Sequence, residues 1–279
     1  MNNVAPVINL ARRGATLRLP FVSAVLALVA VFVANAAPVP LYNVYRAEER
    51  FTNAGISLAV VAYSLGTIAA LLVLGRVSNQ LGRRRTAIAS LSLLLLGCLL
   101  LLNVHAIGTL LAGRLLMGIG AGLASSSLTS YIVDTAPARP AWLASVASSQ
   151  GPMLGLTVGA IGAGTLVQFG PWPRELIYLV CAGLLLLSAA LVAISPETVT
   201  PTPVAWRSLL PRVQVPAQVR HLLPVAAAVF VSTWATGAFY QAFVPTPWPL
   251  NAALDIALAP FAASEDASGG DPTSRRPNQ

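Results

Sequence analysis

An arginine interrupts a long apolar run at Arg114-Leu115-Leu116-Met117-Gly118-Ile119-Gly120-Ala121-Gly122. A guanidinium in a membrane core costs about 2.5 to 3.5 kcal/mol on insertion scales, so it faces protein or a water-filled cavity. The alternative is a shallow position from which it snorkels to the interface. In the first case Arg114 is a cavity residue able to tune proton or solute coupling. A second chemistry-bearing stretch is the basic turn Gly75-Arg76-Val77-Ser78-Asn79-Gln80-Leu81-Gly82-Arg83-Arg84-Arg85. Its glycines permit a tight reversal, and its arginines can bond helix-end carbonyls or a nearby carboxylate. A third is Gly151-Pro152-Met153-Leu154-Gly155, followed by Gly159. Glycines four apart form one stripe on a helix, where another backbone can approach closely. Asn35 is a polar residue inside an apolar segment, either lining a cavity or bonding a neighbouring helix.

Enzymatic chemistry finds no support. His105 and His221 fall at segment ends, with no acid, serine or cysteine at a suitable spacing. Cys98 and Cys181 each lie inside an apolar run and read as small hydrophobes, so neither a metal nor a cofactor site is expected.

The elements that must position these residues are membrane spans. The chain is 56% hydrophobic and only 9% charged, against roughly a quarter charged in soluble domains. Apolar segments near the ~20 residues needed to cross a bilayer run from Phe21 to Tyr42, Ala54 to Leu74 and Thr86 to Val104. Three more run from Ile107 to Val133, Trp142 to Phe169 and Leu176 to Ile194. The first has a rival reading as a secretory signal peptide ending near Ala34-Asn35-Ala36; Tyr42 and Tyr45 beyond it suit an interfacial anchor instead. The expected organisation is an N-terminal segment 1–20, a six-helix bundle 21–198 and a Pro/Arg-rich linker 199–221. A candidate seventh helix, 222–244, and a disordered Ser/Gly/Asp/Pro tail, 245–279, complete it.

A net charge of +8 would suggest nucleic acid in a soluble chain. Here the arginines cluster between apolar runs and read as topology signals, with no nucleic-acid partner expected. Arg12, Arg13, Arg18, Arg76, Arg83, Arg84, Arg85 and Arg139 share one side when the N-terminus is cytoplasmic, as do Arg207, Arg212 and Arg220. Arg46, Arg50 and Arg174 fall opposite, among Glu48, Glu49 and Glu175. The expected location is the inner (plasma) membrane, multi-pass and N-terminus inside.

In the Gly75–Arg85 turn, a glycine, a polar residue four later, a second glycine three after that and then immediate arginines resemble the signature loop of the major facilitator superfamily. The Arg114 run resembles the family's fourth-helix motif, and Gly151-Pro152-Met153-Leu154-Gly155 partly resembles the fifth-helix motif of its antiporters, with Leu156 where a second glycine is typical. Pro38-Val39-Pro40-Leu41-Tyr42 is similar to a Pro-Leu-Tyr entry of bacterial exporters, with Asn35 and Tyr42 as cavity candidates. Asp134-Thr135-Ala136-Pro137-Ala138-Arg139 resembles the acidic-to-Arg loop that family members place beside the signature turn. If the loops meet, Asp134 would pair with Arg83 or Arg84. Asn79 stands where the family usually has Asp, which puts an ion-based lock of the outward-facing state in question.

These motifs, with Pro196-Glu197-Thr198, occur in family order across Phe21 to Thr198. The resemblance implies an all-α membrane bundle of two inverted three-helix repeats, plus the first helix of a second half. It implies secondary active transport of a small organic solute, with proton-coupled efflux as the expected mode and lipids, solute and protons as partners. Because a full member has about twelve helices, the chain reads as a truncated permease, and a frameshift would explain the change of character after Val244. The alternative is a half-transporter, or a non-transporting membrane partner, that must dimerise to form a cavity.

Overall fold

The computed structural model describes residues 18–75, 77–137, 139–172 and 174–199, and scattered positions between 220 and 235. The described residues form helices and no strand: α1 (Arg18–Ala36), α2 (Pro38–Glu48), α3 (Asn53–Ala69), α4 (Val77–Leu81), α5 (Arg83–Leu101), α6 (Ile107–Thr135), α7 (Leu143–Phe169) and α8 (Leu176–Ala193). Six spans are long and apolar enough to cross a membrane; α1 and α2 together make the first, Leu19–Glu48. The segments 1–17 and 200–219, most of the candidate seventh helix 222–244 and the tail 245–279 lie outside the described residues.

Two boundaries differ from the sequence reading. The first span does not stop at Tyr42 but runs on to Glu48. Pro38 and Pro40 lack the amide protons that a continuous ladder needs, so the helix breaks at Ala37; proline is tolerated in a first turn, and α2 restarts there. The arginines of the turn are not in a loop: Arg83, Arg84 and Arg85 form the first turn of α5. Cations are unfavourable at a helix N-terminus, so this turn needs a compensating carboxylate.

Other elements follow local rules. Thr52 caps α3 with its hydroxyl accepting from the Gly55 amide at 3.1 Å. After Ala69 the helix widens into a π-turn over Ala70–Leu74, just before the Gly75 turn. At 29 residues, α6 is about 43 Å long and overreaches a hydrocarbon core of about 30 Å.

The first span packs on α6, α7 and α8, α3 packs on α6, and α5 packs on α6 and α8. Exchanging the first three spans for the last three maps these pairings onto themselves. Successive spans run antiparallel, so a three-span repeat is inverted by necessity, and the all-α bundle has the internal symmetry expected of it. The first span sits at the centre: Ala24, Ala27, Ala30 and Ala34 are fully buried, small enough to admit neighbouring helices closely. Outward-facing Leu58, Leu65 and Ile68 on α3, Leu72 in the π-turn after it, and Leu154, Val158 and Ile161 on α7 leave an apolar flank suited to lipid. Cys98 on α5 and Cys181 on α8 are both buried as free thiols.

Candidate functional site

Arg114 occupies the interior, seven residues or about 10 Å along α6, and is 1% exposed. Its Nη1 donates to the Asn35 carbonyl at 3.2 Å. That carbonyl lies in the last turn of α1, between the Ala34 and Ala36 carbonyls whose ladder donors Pro38 and Pro40 remove. The guanidinium carbon lies 4.6 Å from the ring centre of Tyr63 on α3 and 5.8 Å from that of Tyr42 on α2. Cation–π contacts of this kind contribute about 0.5 to 2 kcal/mol each. Asn35 donates its side-chain amide to the Val31 carbonyl at 2.9 Å, leaving Oδ1 without a partner. The Tyr42 hydroxyl and Arg114 Nε are likewise buried and unpartnered. Of the cavity candidates nominated from sequence, Arg114 thus meets the Asn35 backbone carbonyl and the Tyr42 ring, while the Asn35 side chain bonds its own helix. Tyr63 was not nominated; an aromatic in an apolar run carries no signal until the arginine facing it is known.

Close glycine contacts hold this site. Gly118 abuts the Tyr63 backbone, and a Cβ on Gly66 or Gly122 would come within 2.7 Å of the Leu115 or Thr67 carbonyl. The Thr67 hydroxyl sits 3.1 Å from the Gly118 carbonyl and 3.0 Å from that of Tyr63. On α7, a Cβ on Gly155 would meet the Val29 carbonyl at 2.6 Å, and one on Gly159 the Val33 carbonyl at 2.5 Å. Gly151 is in looser contact with Leu28, and Pro152 lies within the same helix. The stripe therefore seats α7 on α1. A shallow apolar groove of about 460 Å³ between these helices, lined by Val25, Val29, Gln150 and Thr157, does not include Arg114.

At the turn end, Arg83 Nε bonds Asp134 Oδ2 at 3.1 Å and its Nη1 bonds Ser78 Oγ at 2.9 Å. Asp134 also accepts from the Thr198 hydroxyl at 3.2 Å. Arg84 turns elsewhere: its Nη1 reaches the Ser195 carbonyl at 3.1 Å, and its backbone amide donates to Glu197 Oε1 at 3.2 Å. Glu197 is thereby the carboxylate that the basic first turn of α5 requires. Gly82 precedes it at φ +99°, in the left-handed region. Arg85 and Arg139 are exposed, and Gly75 abuts the Leu71 carbonyl. Arg76 and the side chain of Asn79 lie outside the described residues. An exposed ion pair alone contributes about 0 to 1 kcal/mol. The Asp134 pair also carries hydroxyl contacts from two elements, so reversing either charge, Asp134→Arg or Arg83→Asp, is expected to lower folded yield in membranes. The double reversal should recover most of it; a double variant as poor as the singles would rule out the pairing.

At the opposite end, Arg174 Nη1 contacts Glu48 at 2.8 Å and Glu49 at 2.9 Å, and Nη2 donates to the Val104 carbonyl at 2.6 Å. His105 Nδ1 lies 3.2 Å from the same Glu49 carboxylate. Arg174 also stacks on Tyr45, whose hydroxyl is 3.0 Å from that of Tyr178. The Arg174 hydrogen bond, then His105, hold the Glu49 carboxyl below its ordinary value. Its contribution is full above the unfolded value of about 4.3 and is lost as pH falls through the lowered folded value. Melting of the purified protein should therefore fall on acidification below about pH 4, less steeply in Glu49→Gln. Equal pH dependence in both proteins would contradict this assignment.

Among the described residues, six spans long and apolar enough to cross a membrane and one fully buried cation, Arg114, set against aromatic faces, define a multi-pass membrane protein. The sequence profile of the Major Facilitator Superfamily matches residues 21–264, and the chain belongs to that family of transporters. It is similar to the MFS efflux transporter aclA of Aspergillus oryzae, 28% identical over 194 residues, which are 66% of this chain and 34% of that protein. It is 30% identical over 152 residues to the uncharacterized MFS-type transporter EfpA of Mycobacterium tuberculosis, covering 53% of this chain and 28% of that one. A probable inositol transporter 3 of Arabidopsis thaliana is 36% identical over 74 residues, 26% and 13% of the two chains. The matched region spans about a third or less of each relative's length.

Proposed function

We propose that this chain supplies the cavity-bearing half of a secondary active transporter that moves a small organic solute outward at the expense of a proton gradient. The observation that carries this reading is the buried Arg114 cluster, held between the inverted repeats of a major facilitator bundle. Efflux is favoured by the similarity to aclA, an efflux transporter, and by the partial antiporter-type motif at Gly151, Pro152 and Gly155. Arginine placement supports an inner-membrane protein whose turn end, with Arg83 and Asp134, faces the cytoplasm.

Proteoliposomes loaded with anionic, neutral and cationic reporter dyes, under an imposed pH gradient, test the proposal. At least one dye should move faster than in protein-free vesicles, and Arg114→Ala should return that flux to background. Flux untouched by Arg114→Ala would remove the coupling role.

A further inference from the structure

α1 and α7 both begin at the end of the bundle where Arg83 meets Asp134. Ser23 of α1 bonds Ser195, whose carbonyl holds Arg84, and α7 starts eight residues after α6 ends. Deeper in the bundle, Gly155 and Gly159 bring α7 onto the Val29 and Val33 carbonyls, whereas a Cβ on Gly151 would meet only side chains, none closer than 3.4 Å. The two helices therefore part toward their N-termini, and the groove of about 460 Å³ opens in that gap. From Val146 to Thr157 it runs about 16 Å along α7, the depth of one leaflet of a hydrocarbon core about 30 Å thick. A packed transmembrane helix would need a trough across both leaflets. Trp142, Val146, Gln150 and Leu154 recur every four residues and form one exposed stripe down α7, which Val25 and Val29 face from α1. The Thr157 hydroxyl is spent on the Met153 carbonyl at 2.9 Å, so the walls present hydrocarbon apart from the Gln150 amide. At the open end Trp142 is 60% exposed, and Arg139, three residues before it, is exposed with no ion pair among the described residues. The neighbouring carboxylate, Asp134, is taken by Arg83.

We propose that this groove is a binding site for one anionic phospholipid, with an acyl chain along the α1–α7 groove and the phosphodiester against Arg139. The occupant follows from the gradient along the stripe. A cation and an indole stand at the level of the headgroups, one amide stands below them, and hydrocarbon fills the rest. A guanidinium offers its planar fork to two phosphate oxygens. Trp142 suits the interface because its ring is apolar while its N–H donates to phosphate or ester oxygens. No side chain caps α7, so the partial positive charge of its N-terminus adds to the attraction at the same level. Helical side chains lean toward the N-terminus, which brings the Gln150 amide up toward the glycerol esters. A headgroup that carries its own cation, such as choline, leaves Arg139 uncompensated, so the site prefers a lipid with net negative charge. Such binding is independent of the solute that the chain moves.

The test is native mass spectrometry of the full chain released from detergent micelles, titrated with palmitoyl-oleoyl phosphatidylglycerol or with the matching phosphatidylcholine. One phosphatidylglycerol should be retained about fivefold more tightly than phosphatidylcholine, the worth of one arginine near a bilayer surface. Arg139→Gln should remove that preference and leave phosphatidylcholine unchanged. Arg85→Gln, which removes an exposed arginine on α5 away from the groove, should keep it. Ala147→Phe, which fills the groove, should weaken both lipids. Equal retention of the two lipids by the parent, or an equal loss in Arg85→Gln and Arg139→Gln, would overturn the site as a surface charge effect. Undiminished binding in a folded Ala147→Phe protein would overturn the groove. So would displacement of the lipid by tail-less glycerophosphoglycerol as readily as by phosphatidylglycerol itself. A dimer mass that appears as lipid is stripped from the parent, and that Ala147→Phe abolishes, would assign the groove to a second copy and overturn the lipid. Should Ala147→Phe fail to fold, the surface variant Arg139→Gln still decides, since an unchanged lipid preference there overturns the proposal.

Discussion

Replacing Gly118 with valine is expected to abolish recovery of monodisperse protein from membranes. A Cβ at this position already runs into the Tyr63 backbone, and a backbone atom cannot step aside as the end of a side chain can. α3 and α6 would have to separate along the seam where Gly66, Gly122 and the Thr67 hydroxyl also meet across the two helices. Overpacking commonly costs about 1 to 3 kcal/mol, a large share of a stability of about 5 to 15 kcal/mol. The same displacement would lift Tyr63 off Arg114. The internal control is Gly162→Ala on α7, where nothing lies within 4 Å and helix propensity favours alanine by about 1 kcal/mol. Fluorescence-detected size-exclusion should show loss of the peak for Gly118→Val and an unchanged or larger peak for Gly162→Ala. A normal peak for Gly118→Val would mean that the α3–α6 seam is looser than described.

The second large effect is expected at Gly82. At φ +99° any L residue is strained, a penalty of about 1 to 2 kcal/mol, and the new Cβ would lie 2.7 Å from the Glu197 carboxyl carbon. Gly82→Ala therefore both strains the backbone and displaces the carboxylate that satisfies the first turn of α5. Removing one helix cap costs about 0.5 to 2 kcal/mol, so the combined loss should be several kcal/mol, read as a melting temperature well below that of the parent. Glu197→Ala loses the cap alone and should fall between the two. Equal melting of Gly82→Ala and Glu197→Ala would show that the backbone conformation carries no cost of its own.

The spans were legible because length and hydropathy are local properties. Ile107 and Leu176 begin their helices where the apolar runs begin, and Phe169 ends its own. The break at Ala37 was only half legible: Pro38 and Pro40 announce an interruption, but continuation to Glu48 depends on packing of Leu41, Tyr42 and Tyr45 into the core. Arg114 and Asn35 stood out as polar groups in apolar surroundings and Tyr42 through its Pro-Leu-Tyr context, yet their meeting depends on how α6 docks against the first span. Glu197 illustrates the remainder. Nothing local to residue 197 says that it will cap a helix starting at Arg83; the partnership exists only once the end of α8 returns beside the start of α5.

Cys98 and Cys181, buried in the bundle, have a practical consequence for experiments in whole membranes. Thiolate is the species that maleimides attack, and neither sulfur is placed to meet a water-soluble reagent. The natural chain therefore serves as its own silent background for labelling. A single cysteine introduced at exposed Arg139 should react from one face of sealed vesicles, and one at exposed Trp172 from the other, mapping sidedness with no engineered cysteine-free parent.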